Sequence, residues 1–581
     1  MLPNHKGTWY DICRYYIIAY RIYTRGPQRP MPTLNFKGKT AIESYHLVVP
    51  HHILDFDEKL SLTDSPCLDG NLIIEGDNLL ALKALLPTHA GKVKCIYIDP
   101  PYNTGNEGWI YNDNLTQPQF KEWIGQVVGK EGEDACRHEK WCCMMYPRLQ
   151  LLKELLSDDG VIFVSIDERE IAHLLMLMDE VFLGNQLAVF VWSGRSGKGA
   201  TTSNVEMTHE YVLAYAKNLK QVSIKPVETL REGGVYEDSR GRYDREHLRQ
   251  WGQGDRREDR PSMHYPIPAP DGSEVYPKRP DGSEGRWRCS ESSALDLLTD
   301  GGLDFVQEET GDWIVYRKIR EGTKTISATD SMLLDVGSAS TGTIEIKRIF
   351  GGEKVFPTVK PTALIKRLID LVCFDDPNAV ILDSFAGSGT TGHAVLELNK
   401  QQGTNHRFVI VQMPQESSEQ QSSGYNLCVS VTAERIRRVV DGYIYNTRKR
   451  EVSVEGLGGG FTYCRVGKML FDRFRNFPKG EYPSYEELAK YIFYTETSRA
   501  LDVAGINYDT GLIGENAGRS YYLLYTPDGN ADRALTMDWL AKTSGRDPQP
   551  KVVYCEKIHV HRRDLAGYGN VRAMQVPFNL K

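Results

Sequence analysis

Val93-Lys-Cys-Ile-Tyr-Ile-Asp-Pro-Pro-Tyr102 is the stretch from which the fold is read. Its first six residues, alternating toward Ile96 and Ile98, predict a buried strand. The strand ends in an acid, two prolines and an aromatic ring. Pro100 and Pro101 have fixed φ and no N–H to donate, so the loop after the strand is stiff. Such a loop holds an acceptor, Asp99, beside a flat apolar face, Tyr102, at the carboxyl edge of the sheet, where open α/β sheets bind ligands. An amino group on a flat aromatic base suits that pair. Alone, the tetrapeptide is better explained as a strand-terminating turn with a packed tyrosine.

A second apolar strand, Ala379-Val-Ile-Leu-Asp383, runs into Ser384-Phe-Ala-Gly-Ser-Gly-Thr-Thr391 and then a helix expected from about Thr390 to Leu398. This turn is neither the phosphate-cradling P-loop nor a full dinucleotide fingerprint. With Asp99-Pro-Pro-Tyr102 ahead of Phe385-Ala-Gly-Ser-Gly389, the chain resembles the amino-methylating DNA methyltransferases that use S-adenosylmethionine (SAM). The motif order and the long interval between them resemble the β-ordered group. Asp99-Pro-Pro-Tyr-Asn-Thr-Gly-Asn106 followed by Tyr111-Asn-Asp113 resembles the modification subunits of type III restriction systems.

The resemblance implies an α/β fold: a Rossmann-like mixed sheet with the catalytic motif before the SAM motif, interrupted by an inserted target-recognition domain. It implies that Asp99, Pro100, Pro101 and Tyr102 are catalytic, Asp99 going with adenine rather than cytosine. It places SAM against Asp77, Lys360, Pro361, Asp383, Phe385, Ala386, Gly387, Ser388, Gly389, Thr390 and Thr391. Gly387 and Gly389 let the backbone approach the cofactor's amino-acid tail, with its carboxylate near a helix amino end. Asp77, read from the residues alone, is also a helix cap. Related folds carry a ribose-binding acid after the strand Arg407–Met413; Gln412 stands there, with Glu416 beyond it.

At 581 residues the chain is expected to hold three or four domains, at roughly 150 residues each. Residues 1–30 form an extension ahead of Met31, either an over-extended start or an accessory helix. The expected plan continues with a catalytic half at 31–218, a target-recognition domain at 219–348, a SAM-binding half at 349–470 and a small α/β domain at 471–581. The recognition interval is rich in arginine between Arg240 and Arg288, with acids interleaved, and repeats Asp-Gly-Ser-Glu at 271–274 and 281–284 as expected hairpin turns. The loops Asn103–Asn114, with Trp109 and Tyr111, and Ser193–His209, with Arg195 and Lys198, are candidates to close over the base and to touch backbone phosphate. A helix is expected over Met144–Leu156, and Thr432–Arg438 reads as a packing helix with a charged outer face.

Hydrophobic content of 40% and charged content of 25% are those of a globular protein, and no apolar run reaches membrane-spanning length. Eleven scattered cysteines, two of them adjacent at Cys142-Cys143, argue for a reducing cytoplasm. Arg137-His138-Glu-Lys-Trp-Cys-Cys143 matches no zinc spacing, so no metal is expected. A net charge of −7 excludes a generally basic coat but not a local basic cleft. The expected partners are duplex DNA, a second copy of the chain and a restriction subunit. The competing readings are a cytosine- or RNA-directed relative and a non-catalytic recognition subunit.

Overall fold

The computed structural model describes residues 33–104, 134–194, 205–415, 420, 423–447, 450–472, 476–477, 482–527, 533–544, 549–565, 568 and 570–576. The expected extension, Trp109, Tyr111, Arg195, Lys198 and Glu416 lie outside them. The chain forms two compact units, Met1–Ile224 with Ser331–Lys581, and Lys225–Asp330.

The first unit is built on a ten-stranded sheet. Numbered within it, the strands are β1 (His51–Phe56), β2 (Leu72–Glu75), β3 (Val93–Ile98), β4 (Leu156–Ile166), β5 (Gln186–Trp192), β6 (Glu210–Ala216), β7 (Met332–Leu333), β8 (Val380–Asp383), β9 (Arg407–Gln412) and β10 (Thr462–Phe471). Their order is β1-β10-β2-β9-β8-β3-β4-β6-β5-β7. β1 pairs antiparallel with β10, and β6 with both β4 and β5; the other pairings are parallel. β8 lies between β9 and β3, so connections leave in opposite directions there and open a crevice at the strands' carboxyl ends. Asp99 and Ser384 follow the two strands that flank it. The fold is the expected α/β Rossmann-like mixed sheet.

Both faces of the sheet are covered, which is why its central strands read as unbroken apolar runs. All six residues of β3 are buried. Ile96 and Ile98 enter one core and Cys95 and Tyr97 the other. Against the first core lie helices α1 (Asn78–His89), α2 (Asp134–Leu155) and α3 (Ile171–Val181). The second is closed by α4 (Ala339–Ile349), α5 (Thr362–Cys373), α6 (Thr390–Gln402) and α7 (Glu434–Asp441). α2 starts ten residues before the expected Met144, because Trp141, Cys142 and Cys143 are buried in its first core-facing turns.

Residues 331–348, expected in the recognition domain, belong to the first unit: β7 pairs in parallel with β5, and α4 packs into the second core. Residues after 471, expected as a separate domain, share the first core through Tyr491, Ile492, Leu523 and Val552. They add helix Tyr485–Thr497 and a four-stranded sheet, 512–516, 519–524, 551–555 and 571–575.

The unit Lys225–Asp330 has its own small core, with Leu248, Tyr265, Ile267, Trp287 and Val315 buried. A four-stranded sheet spans 236–247 and 303–320, and the first Asp-Gly-Ser-Glu turn joins the short hairpin Ile267–Pro268 with Glu274–Val275. Many of its cations are paired: Arg320 and Lys318 on Asp238, Arg245 on Asp304, Arg288 on Glu246. Arg240, Arg242, Arg256, Arg260, Arg286 and Arg317 form no ion pair among the described residues. Among the described residues, Cys67, Cys95, Cys142, Cys143, Cys289, Cys373, Cys428, Cys464 and Cys555 are free thiols, and no helix is long and apolar enough to cross a membrane.

Candidate active site

Two loops at the carboxyl edge build the site. After β3, the Pro101 carbonyl accepts from Trp141 Nε1 at 2.8 Å, so α2 fixes the proline pair from below. The Tyr102 hydroxyl donates to Glu210 Oε2 at 2.9 Å and accepts from Lys360 Nζ at 2.7 Å, which pins the ring by its polar tip. Lys360 Nζ also lies 3.1 Å from Asp99 Oδ1 and 3.0 Å from Glu210 Oε2. One buried ammonium therefore joins Asp99, Tyr102 and Glu210. Burial alone would lower the Lys360 pKa, but the two carboxylates outweigh it and hold the ammonium above its ordinary value. Burial, with Asp99 and Glu210 beside it, keeps the Tyr102 phenol protonated.

The loop after β8 is organised by Asp383. Its Oδ1 accepts from the Phe385 N–H at 2.9 Å and its Oδ2 from the Thr391 hydroxyl at 2.5 Å, tying both ends of the turn to the strand. Gly387 (φ 52°) and Gly389 (φ 80°) hold left-handed backbone that side chains resist. The Phe356 ring lies 3.2 Å from where a Cβ on Gly387 would stand. Gly387 N–H donates to Gln412 Oε1 at 2.7 Å, so the glutamine found in place of a ribose acid braces this turn. α6 opens at Gly389 with no side-chain cap. No side chain at the cap position therefore takes up its first N–H groups, which leaves them to an anion.

The family model for DNA methylase, N6_N4_Mtase, matches residues 93–425 and takes in both loops. The chain belongs to the DNA methylase family. Its similarity to the StyLTI Mod subunit of Salmonella typhimurium, a type III restriction-modification enzyme, is 33% identity over 393 residues, 64% of this chain and 57% of that one. To the EcoPI Mod subunit of Escherichia phage P1 it is 31% identity over 70% of this chain and 68% of that one. To the type II methyltransferase M.KpnI of Klebsiella pneumoniae it is 30% identity over 68% of this chain and 94% of that one. The chain thus spans little more than half of the StyLTI subunit.

The remaining expected residues lie around the same crevice or brace its loops. Asp77 caps α1, its Oδ1 accepting from the Leu79 and Leu80 N–H at 2.8 and 3.3 Å, with Arg148 Nη2 3.6 Å from its other oxygen. Pro361 is the residue before α5, whose first residue, Thr362, donates its N–H and hydroxyl to Glu345 at 3.0 and 2.7 Å. Ala386 N–H donates to the Val411 carbonyl at 3.1 Å, joining the turn to β9. Ser388 and Thr390 both accept from the buried Arg435, at 3.0 and 2.7 Å. Burial lowers the Arg435 pKa to about 10.

Three residues of the site were missed in the sequence. Glu210 has the parity of Val212 and Ala214 along β6, the face of the second core, and that parity was a readable signal. Arg435 lies on the stripe of Val431, Ile436 and Val439, so this helix turns one arginine inward while Arg437 and Arg438 pair with Glu434 outside. Gly342, in α4, lets the Val359–Lys360 backbone lie against the helix: a Cβ there would stand 2.1 Å from the Val359 carbonyl oxygen.

Gly342→Ala therefore pushes the segment that carries Lys360 off α4. The expected cost is roughly 1–3 kcal/mol of stability, with catalysis lost more than folding. Thermal unfolding and methyl-transfer rates on one preparation check it.

Asp383 gives a pH signature. Burial raises its pKa to about 7, against the hydrogen bonds from Thr391 and Phe385. The unfolded carboxyl titrates near its ordinary value of 3.8. The native state then holds a proton that the unfolded state has lost, so this contribution is complete below that lower value and disappears as pH rises through about 7. Asp383→Asn keeps an acceptor for Phe385 and a donor for Thr391 and cannot titrate. The wild type is expected to lose on the order of 3 kcal/mol relative to the variant between pH 4 and pH 8, measured by denaturant unfolding.

Proposed function

We propose that this chain transfers a methyl group from SAM to the exocyclic N6 amine of an adenine flipped out of duplex DNA, at a specific short sequence. The observation that carries this reading is the placement of Asp99-Pro100-Pro101-Tyr102 and the Phe385–Thr391 turn on adjacent parallel strands of one crevice.

The residues fit SAM: Gly387 and Gly389 carry no side chain on the turn, and the uncapped start of α6 offers N–H groups to its carboxylate. When bound, SAM supplies a methyl group on a sulfonium, ready for in-line displacement. Asp77, Lys360 and Pro361 would complete the cofactor side, as the family resemblance implies.

The amine of adenine is a poor nucleophile because its lone pair is delocalised into the ring. Asp99 and the Pro100 carbonyl would each accept one amino hydrogen, drawing the nitrogen toward tetrahedral geometry and freeing the lone pair. Lys360 occupies one position on Asp99 Oδ1, and a carboxylate has lone pairs left for the amine. Catalysis on this account is positioning and fixed charge. After transfer, Asp99 accepts the departing proton. Flipping the base costs a few kcal/mol, and stacking on Tyr102, held by Glu210 and Lys360, returns roughly 1–3 kcal/mol.

Lys225–Asp330 is the proposed recognition unit, with its unpaired arginines available to phosphate and guanine. Assembly with a second copy and with a restriction subunit is proposed from the two Mod-subunit relatives. The test is transfer of labelled methyl from SAM to defined duplexes by the purified chain. Label in the adenine amine of one sequence supports the reading; label in cytosine, or only in RNA, replaces the adenine assignment.

A further inference from the structure

Beside the catalytic loop stands a second cluster that methyl transfer does not use. Glu170, the residue that precedes α3, does not cap its own helix; its side chain turns inward and is 0% exposed. His138 Nδ1, from α2, lies 2.6 Å from one carboxylate oxygen, and His173 Nδ1, from α3, lies 2.9 Å from the other. The two imidazoles stack with centroids 4.9 Å apart. Among the described residues, no lysine or arginine pairs with Glu170. A fully buried carboxylate without a permanent cation is costly, and two imidazoles that converge on it mark where positive charge belongs.

We propose that His138, Glu170 and His173 bind a divalent transition-metal cation, with zinc the best match to two imidazole nitrogens and a carboxylate. One ligand atom from each lies within 4.8 Å of the other two, close enough for the three to share one ion. The histidine side chains are 29% and 34% exposed, which leaves the remaining coordination position to water. An outer partner is present as such sites require: Asn103 Nδ2 donates to Glu170 and orients it. Asn103 follows Tyr102 directly and holds left-handed backbone, φ 60°. The cation would therefore tie α2 and α3 to the residue that ends the catalytic loop. The sequence around His138 carries no zinc spacing because the other two ligands come from the start of a different helix.

The test uses the full chain, stripped with chelator and titrated with ZnCl2 by calorimetry, without SAM or DNA, so its failure is separate from failure of methyl transfer. One zinc per chain is expected. His173→Ala and Glu170→Gln should each weaken binding by roughly 10–100-fold or more, with the exposed His559→Ala unchanged. Cobalt should give visible absorption bands in the wild type that His173→Ala lacks. The proposal is overturned if the wild-type chain takes up no zinc, or if His173→Ala binds zinc as the wild type does.

Discussion

Asp99→Ala is expected to lower the rate of methyl transfer by a factor on the order of 10³ while leaving the fold and SAM binding close to wild type. On the proposed reading Asp99 is the charged acceptor for the target amine, and it stands at the end of a strand whose six residues are all buried. Its removal takes away the interaction that makes the nitrogen nucleophilic and nothing that holds the sheet. Its side chain is 29% exposed, and Lys360 keeps Glu210 and Tyr102 as partners in the variant. Stability should therefore change by less than about 1 kcal/mol. Single-turnover rates with saturating SAM, with SAM affinity measured separately, divide the two effects. A loss in affinity that matches the loss in rate would mean that Asp99 holds cofactor instead.

Lys360→Met should come next in size and carry a different signature. Two carboxylates and a phenol meet on that one ammonium, at 3.1, 3.0 and 2.7 Å. Without it Asp99 and Glu210 lose the cation they share, and the Tyr102 hydroxyl loses its donor. The expected result is a fall in single-turnover rate of roughly 10²–10³ together with weaker binding of duplex DNA, because the Tyr102 ring is no longer held. Unchanged DNA affinity with weakened SAM binding would assign Lys360 to the cofactor alone. Glu210→Gln, which leaves Lys360 on Asp99 and Tyr102, should show the milder loss of a positioning residue.

The two loops were legible because parallel strands covered on both faces become unbroken apolar runs, and their ends are then marked by Asp99-Pro100-Pro101 and Gly387-x-Gly389. The domain edges were less so. β7 is two residues long, below the reach of any periodicity, so the recognition interval was drawn as 219–348 while Lys225–Asp330 is the compact unit. The last hundred residues looked separate because their strands are complete in themselves; only packing puts Tyr491 and Leu523 in the first core. Glu210 and Arg435 were readable from strand parity and helix stripe, but a charged residue is usually assigned outward. Glu170 was not readable: in Asp167-Glu-Arg-Glu170 each acid has the look of a surface turn, and only the approach of α2 brings His138 to it.

The central claim is that this chain methylates adenine in DNA through Asp99. It is tested most directly by single-molecule sequencing of DNA from a methylation-free host that expresses the full chain, with Asp99→Ala alongside. The account predicts N6-methyladenine at one short sequence in the first sample and its absence in the second. The same modification in both samples would contradict it, as would a modified cytosine in the first.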